Sequence, residues 1–272
     1  MDSPVAGALV TDGYHSITAN GLRFHYRSAG SGDPLVLLHG SLDCTGAMWN
    51  NQVPEWAKHY RVLVPDLRGH GRTVNPGVPL SLPLLADDIL AFCDALKLEK
   101  PFLCGVSMGG MAVLEAGMRH PEAFGALIAV AAQVHRPFSP WFCKQLKAIG
   151  ILGAGQVKPE MLEAATPLRA ERLKAMHPAG PDQWKELLLN LSGLFATPLL
   201  HDPEDYRKIR APTLALTGDR DTYFLLEDMV DMYRHIPGAS LAVLPGHDHT
   251  SYLQAASFAA TVIDFLASAR RA

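Results

Sequence analysis

Six short apolar runs are spaced along this chain of 272 residues: 35–38 (LVLL), 60–65 (YRVLVP), 102–104 (FLC), 126–131 (ALIAVA), 213–217 (TLALT) and 241–244 (LAVL). A strand that is apolar on both faces must be covered on both faces, which is the condition of a parallel sheet with helices packed on each side. A seventh run, 22–27 (LRFHYR), alternates and reads as a half-buried strand. Helix-like stretches fall between the runs. Residues 81–98 carry Leu84, Leu85, Ile89, Leu90, Ala91, Phe92 and Leu96 close to helical spacing, residues 111–120 end at Pro121, and residues 252–270 read as a C-terminal helix. Alternation of strand and helix predicts an α/β domain with a mostly parallel sheet.

The alternation breaks once. From Val134 to about Tyr206 no convincing strand is present, and four helix-like pieces (141–152, 158–165, 168–177, 183–194) are punctuated by prolines at 159, 167, 178, 181, 198 and 203. The expectation is a core over residues 1–133, a helical insertion over 134–206 and the rest of the core over 207–272. Residues 148–151 (AIGI) and 153–155 (GAG) read as a bend or hinge within the insertion.

Composition narrows the function. With 48% hydrophobic and 19% charged residues, the chain has ample material for one large core. A net charge of -3 without a long basic run argues against a nucleic-acid partner. Cys44, Cys93, Cys104 and Cys143 show no C-x-x-C spacing, so small core residues are expected rather than disulfides or a zinc site. Residues 1–5 (MDSPV) lack a secretory pattern and no apolar segment is long enough to span a bilayer, so a soluble cytoplasmic protein acting on a small molecule is expected. Nothing in the pattern fixes an oligomeric state.

The stretch 104–110 (CGVSMGG) carries the chemistry. A serine between Gly105 and Gly109, with Gly110 after them, is either a flexible turn or a nucleophile on a turn too tight for bulky neighbours. It follows an apolar run and precedes a helical stretch, the context of a nucleophile elbow. A serine hydroxyl needs a base within reach, a third group to orient that base, and donors for the oxyanion. In an open parallel sheet such groups gather beyond the carboxyl ends of the strands. The other runs are followed there by HGSL (39–42), GDRD (218–221) and PGHDH (245–249). Asp219 or Asp221 could supply the acid and His247 or His249 the base. His247 and His249 could also be read as paired metal ligands, though no third ligand cluster has suitable spacing.

These motifs give the chain a close resemblance to the α/β-hydrolase fold family, in its serine-nucleophile branch with a helical cap. The resemblance runs from about Arg23 to the C terminus, outside the insertion. It rests on LLHGS (37–41), DLRGHGRT (66–73), GVSMGG (105–110), LTGDRD (216–221) and PGHDH (245–249), in the family's order. It implies Ser107 as nucleophile, Asp221 as acid with Asp219 as rival, and His249 as base with His247 as rival. It implies an oxyanion hole from the backbone N–H groups of Ser41 and Met108. Leu42 is an alternative donor, since the loop after His39-Gly40 is one residue longer than in many relatives. His39 would order that loop, while Asp66, Arg68 and His70 would brace the next one. The insertion would form a cap whose Trp141 and Phe142, with Leu42, line a mainly apolar pocket. No metal and no cofactor would be needed. A serine at the elbow fits hydrolysis of a small carboxylic ester, lactone or thioester. Carbon–carbon bond hydrolysis, perhydrolysis or lyase chemistry would use the same triad, and a receptor-like member with weak turnover stays open.

Overall fold

A computed structural model describes residues 13–44, 48–197 and 201–270. The N-terminal residues 1–5 and Pro198 read above lie outside the described residues. The first half of the chain forms β1 (His15–Ala19), β2 (Leu22–Ala29), β3 (Pro34–Leu38), α1 (Val53–Trp56), β4 (Arg61–Pro65), α2 (Leu82–Ala95), β5 (Phe102–Val106), α3 (Met108–Arg119) and β6 (Ala126–Val130). After the insertion come β9 (Thr213–Gly218), α8 (Leu226–His235), β10 (Ser240–Leu244) and α9 (Ala256–Ala269). The strands make one eight-stranded sheet in the order β1-β2-β4-β3-β5-β6-β9-β10. From β4 to β10 all neighbours are parallel, while β1 and β2 pair antiparallel at one edge.

The apolar runs sit where their composition demands. Every residue of β5, β6 and β9 is buried, as is all of β3 after its first residue. Sequence reading missed β1, whose alternating residues face solvent on one side, and α8. It also ran the last helix too early: Ser251–Gln254 is a separate 3-10 turn before α9. Helix α3 begins at Met108, three residues earlier than the pattern predicted, because a Gly-Gly pair in the first turn hides the helix from propensity.

Chain order and spatial order diverge between β3 and β5. The chain goes from β3 outward to β4, then returns past β3 to β5. A crevice opens at such a switch point, beyond the carboxyl ends of the strands. Leu38, the last residue of β3, pairs with Gly105 of β5, so the loop after β3 emerges beside the elbow. The loop after β4 is held by Arg68, whose Nε and Nη2 each donate a 2.7 Å hydrogen bond to the buried carboxylate of Asp88 on α2. This forked pairing fixes direction as well as distance.

Between β6 and β9 the chain leaves the sheet and forms α4 (Pro140–Ala148), β7 (Ile151–Gly153), β8 (Gln156–Val157), α5 (Pro159–Ala165), α6 (Pro167–Met176), α7 (Gln183–Ala196) and a 3-10 turn, Pro203–Lys208. Three of these helices open with proline, whose missing N–H costs nothing in a first turn. The chain bends within 148–155, the stretch read as a bend or hinge: Gly150 at φ +84° precedes a two-stranded antiparallel hairpin, β7–β8, with Gly155 at φ +68° in its turn. The segment enters and leaves the core at one place. The Val134 N–H donates to Tyr206 Oη at 3.2 Å, and His135 Nδ1 lies 3.0 Å from the same oxygen. His135 Nε2 and Arg136 both reach Asp231 on α8.

A second tie joins the exit segment to α3. His201 Nε2 lies 2.6 Å from Glu115, which is buried in that helix. The hydrogen bond raises the His201 pKa above its ordinary value of 6.5. A raised histidine pKa contributes stability that is complete below the unfolded pKa and is lost as pH climbs through the folded one. Urea midpoints of the wild type and of His201→Gln should therefore differ most below the ordinary histidine pKa of 6.5 and draw together as pH rises above it. A difference that grows with pH would show that the tie is not charge-assisted.

Candidate active site

Ser107 stands between β5 and α3 with φ +56° and ψ −120°, a backbone conformation that costs a side-chain-bearing residue of order 1–3 kcal/mol. Its N–H donates to Val130 O of β6 at 2.9 Å. The neighbouring glycines make the turn possible by letting backbones touch. A Cβ on Gly105 would lie 2.2 Å from Gly109 O, and one on Gly109 would lie 2.4 Å from Leu38 O. The serine is thereby pushed up at the head of α3, facing a cavity of about 460 Å³.

Two loops bring the partners. Asp221 follows β9 and His249 follows β10, and these strands are parallel neighbours. The loops are laced together: the N–H of Asp219 donates to Leu244 O at 3.1 Å and that of Arg220 to His247 O at 2.9 Å. His249 Nδ1 lies 2.8 Å from Asp221 Oδ2. The other oxygen, Oδ1, accepts the N–H groups of Tyr223 at 2.8 Å and Phe224 at 3.1 Å, which aim the carboxylate. The rings of Tyr223 and Phe224 stack on the imidazole, with centroids 4.5 and 5.7 Å away. The two rivals are occupied elsewhere. Asp219 Oδ1 accepts the Gly246 N–H at 2.6 Å, and His247 Nδ1 lies 3.3 Å from Ser251 Oγ. Among the described residues no group of three His, Cys, Asp or Glu side chains is arranged to hold a metal ion.

The cavity is lined by Ser107 and His249, by Ser41 and Leu42 of the loop after β3, and by Trp141 and Phe142 of α4. Met108 is the first residue of α3, so its N–H has no acceptor within the helix. The expectation of a mainly apolar pocket is not met. Asp43, Arg169 and Asp248 also line it, with Thr222, Tyr223 and Thr250. Much of the insertion's aromatic surplus packs on itself instead: Phe142 contacts Phe138 and Phe195 at centroid separations of 4.7 and 5.2 Å. Burial pushes the Asp43 carboxyl up to about 6, against the pull of the Cys44 N–H and of Arg172. Backbone N–H groups of Ser251 and Thr250 hold Asp248 below the usual carboxylate range. Arg169, on α6, has no carboxylate partner among the described residues. Adjacency in sequence to Asp221 and His249 could have flagged Tyr223 and Asp248. Arg169 carries no local signal, because only the docking of α6 brings it to the cavity.

Comparison with known proteins agrees with this architecture. The profile described as "Alpha/beta hydrolase family" matches residues 35–261. The 2-hydroxymuconate semialdehyde hydrolase of Pseudomonas sp. (strain CF600) is 28% identical over 275 residues, covering 93% of each chain. The 3-oxoadipate enol-lactonase 2 of Acinetobacter baylyi is 31% identical over 114 residues, 42% of this chain and 43% of its own. Among solved structures, the enol-lactonase from Burkholderia xenovorans LB400 has a TM-score of 0.74 at 24% identity, covering 93% of this chain and 100% of its own.

The geometry separates the two aspartates experimentally. Asp221→Asn should keep its shape yet lower turnover by about 10⁴, as the equivalent change does in a protease triad. Asp219→Asn keeps an oxygen for the Gly246 N–H and should lower stability by about 1 kcal/mol or less. Turnover of both variants at matched folded fraction checks this, and a larger catalytic loss at Asp219 would reverse the assignment.

Proposed function

The chain belongs to the alpha/beta hydrolase family and is a hydrolytic enzyme of it, and on that premise we propose a serine hydrolase that cleaves a small carboxylic ester, lactone or thioester. The observation that carries the reading is a convergence on one cavity. A serine on a strained turn at a helix N terminus lines the same cavity as an imidazole whose Nδ1 is tied to a buried carboxylate. Ser107 Oγ attacks the substrate carbonyl while His249 Nε2 takes its proton. Asp221 accepts the Nδ1–H bond, keeps the tautomer and stabilises the imidazolium. The charge forming on the carbonyl oxygen falls near the Met108 and Ser41 N–H groups, at the positive end of α3. The alcohol or thiol leaves with the proton from His249, and water activated by the same imidazole releases the acid. No step uses a metal or a cofactor. Residues 134–206 serve as a cap over this cavity, with residues 1–133 and 207–272 as the core.

Arg169 refines the substrate. A guanidinium without a carboxylate partner in the cavity that Ser107 lines favours a substrate that carries a carboxylate, which departs from the largely apolar ester expected from sequence. The names of the two relatives, a hydroxymuconate and an oxoadipate enzyme, agree with this choice. The second reading is hydrolysis of a carbon–carbon bond beside a ketone, on the same three residues. It is favoured by the relative matched along nearly its whole length, whose named substrate is a semialdehyde rather than an ester.

Two measurements test the proposal. Ser107→Ala should lose about 10⁶ in turnover, by analogy with a protease nucleophile, and any variant keeping a few per cent of activity removes the central claim. Arg169→Gln should raise KM by about 10–100-fold for a lactone bearing a free carboxylate, the value of a charged hydrogen bond, and leave KM for its methyl ester unchanged. Equal effects on both substrates would take the carboxylate from the proposal.

A further inference from the structure

Two successive carbonyls of the loop after β3 end on buried histidines. His39 Nδ1 lies 2.8 Å from Gly40 O, and His70 Nε2 lies 3.0 Å from Ser41 O. The roles at His39 are fixed by its other nitrogen. Its Nε2 accepts the Leu67 N–H at 3.0 Å, so the proton is on Nδ1 and Gly40 O receives it. The two rings pack with centroids 4.8 Å apart and neither is exposed. Burial lowers His39 to about 4 and His70 to about 3, which keeps both neutral.

A trans peptide points its N–H opposite to its C=O, and no peptide among the described residues is cis. With Gly40 O and Ser41 O turned toward the histidines, the N–H groups of Ser41 and Leu42 are turned the other way. Gly40, Ser41 and Leu42 line the cavity. Neither N–H has a partner among the described residues. Successive amides facing one side make a concavity that binds anions. The loop also runs close to the elbow, since a Cβ on Gly40 would lie 3.7 Å from Ser107 Cβ.

We propose that His70 is a positioning residue: by donating from Nε2 to Ser41 O, it turns the Leu42 N–H beside that of Ser41, so that the oxyanion is received by three amides, Ser41, Leu42 and Met108. This rests on the reading of Ser107 as nucleophile. His70 has a competing acceptor, because its Nδ1 lies 2.9 Å from Arg68 O and a neutral imidazole has a single N–H. The Nε2–H tautomer is the one that arms the loop. His177 of the insertion packs on the same ring at 6.0 Å and closes it from solvent.

The test compares His70→Phe, which keeps a ring without a donor, with His70→Gln, which restores an N–H. Each is assayed on one ester and on its thiono analogue, whose sulfur accepts hydrogen bonds poorly. His70→Phe should lower kcat on the oxo-ester by about 10²–10³ with KM within about threefold, the loss seen when one oxyanion donor is removed. The oxo-to-thiono rate ratio should fall with it, and His70→Gln should recover most of both. Equal losses on both esters, or a kcat within about threefold of wild type, would overturn the proposal. Should His70→Phe not fold, ¹⁵N NMR of the wild-type imidazole decides. A protonated Nε2 supports the proposal, and a lone pair there overturns it. Ser107→Ala is run alongside. Retained turnover in that variant would remove the nucleophile reading and this one with it, whereas a dead Ser107→Ala beside an unaffected His70→Phe removes this one alone.

Discussion

Three backbone segments meet behind the serine at distances that no side chain permits. The end of β3, the end of β5 and the first turn of α3 are pressed together through Gly105 and Gly109. That contact decides the rest of the site. It forces Ser107 into a left-handed turn, sets its hydroxyl at the head of a helix, and brings the β3 loop alongside. Alanine normally stabilises a helix interior by about 1 kcal/mol over glycine. At Gly109 the sign reverses, because the added methyl would meet two carbonyl oxygens. Helix propensity is outweighed by the need for close approach, and the sequence shows this as glycines inside an otherwise regular helical pattern.

Histidine chemistry in this molecule is set by the second nitrogen. His39 is buried and bonded to backbone groups through both nitrogens, and His70 is buried with a carbonyl oxygen at each nitrogen, only one of which its single N–H can serve. His201 faces carboxylates and gains a charge-assisted tie. His249 has one nitrogen tied to Asp221 and lines the cavity, which leaves the other available for proton transfer. A buried strut and an imidazole that opens on the cavity are the same side chain under different desolvation and different partners.

What the sequence made legible follows from how local each signal is. The buried strands and the helices between β6 and β9 were readable because continuous apolar runs and proline-punctuated helices are local patterns. The serine elbow was readable because three glycines at fixed spacing have one strong explanation. His249 over His247 and Asp221 over Asp219 came from family spacing; the residues alone left both pairs open. Two charged residues of the cavity, Arg169 and Asp43, carried no such signal. Arg169 is one charge on an exposed helix until α6 docks, and Asp43 is one loop aspartate until burial shifts its carboxyl. The hairpin β7–β8 was also missed, since strands of three and two residues carry no period to detect.

The clasp at Val134, His135 and Tyr206 has a consequence for how such a chain changes over evolutionary time. The two ends of the insertion are hydrogen-bonded to each other at the edge of the core, so from the core's side the whole excursion is a closed loop. The entropy of closing a loop grows only with the logarithm of its length, about 0.6 kcal/mol for each doubling. Lengthening, shortening or exchanging the excursion therefore costs the core little, provided the two ends still meet. Ser107, Asp221 and His249 follow strands of the sheet, whereas the excursion beside them is a segment whose size is thermodynamically cheap to change.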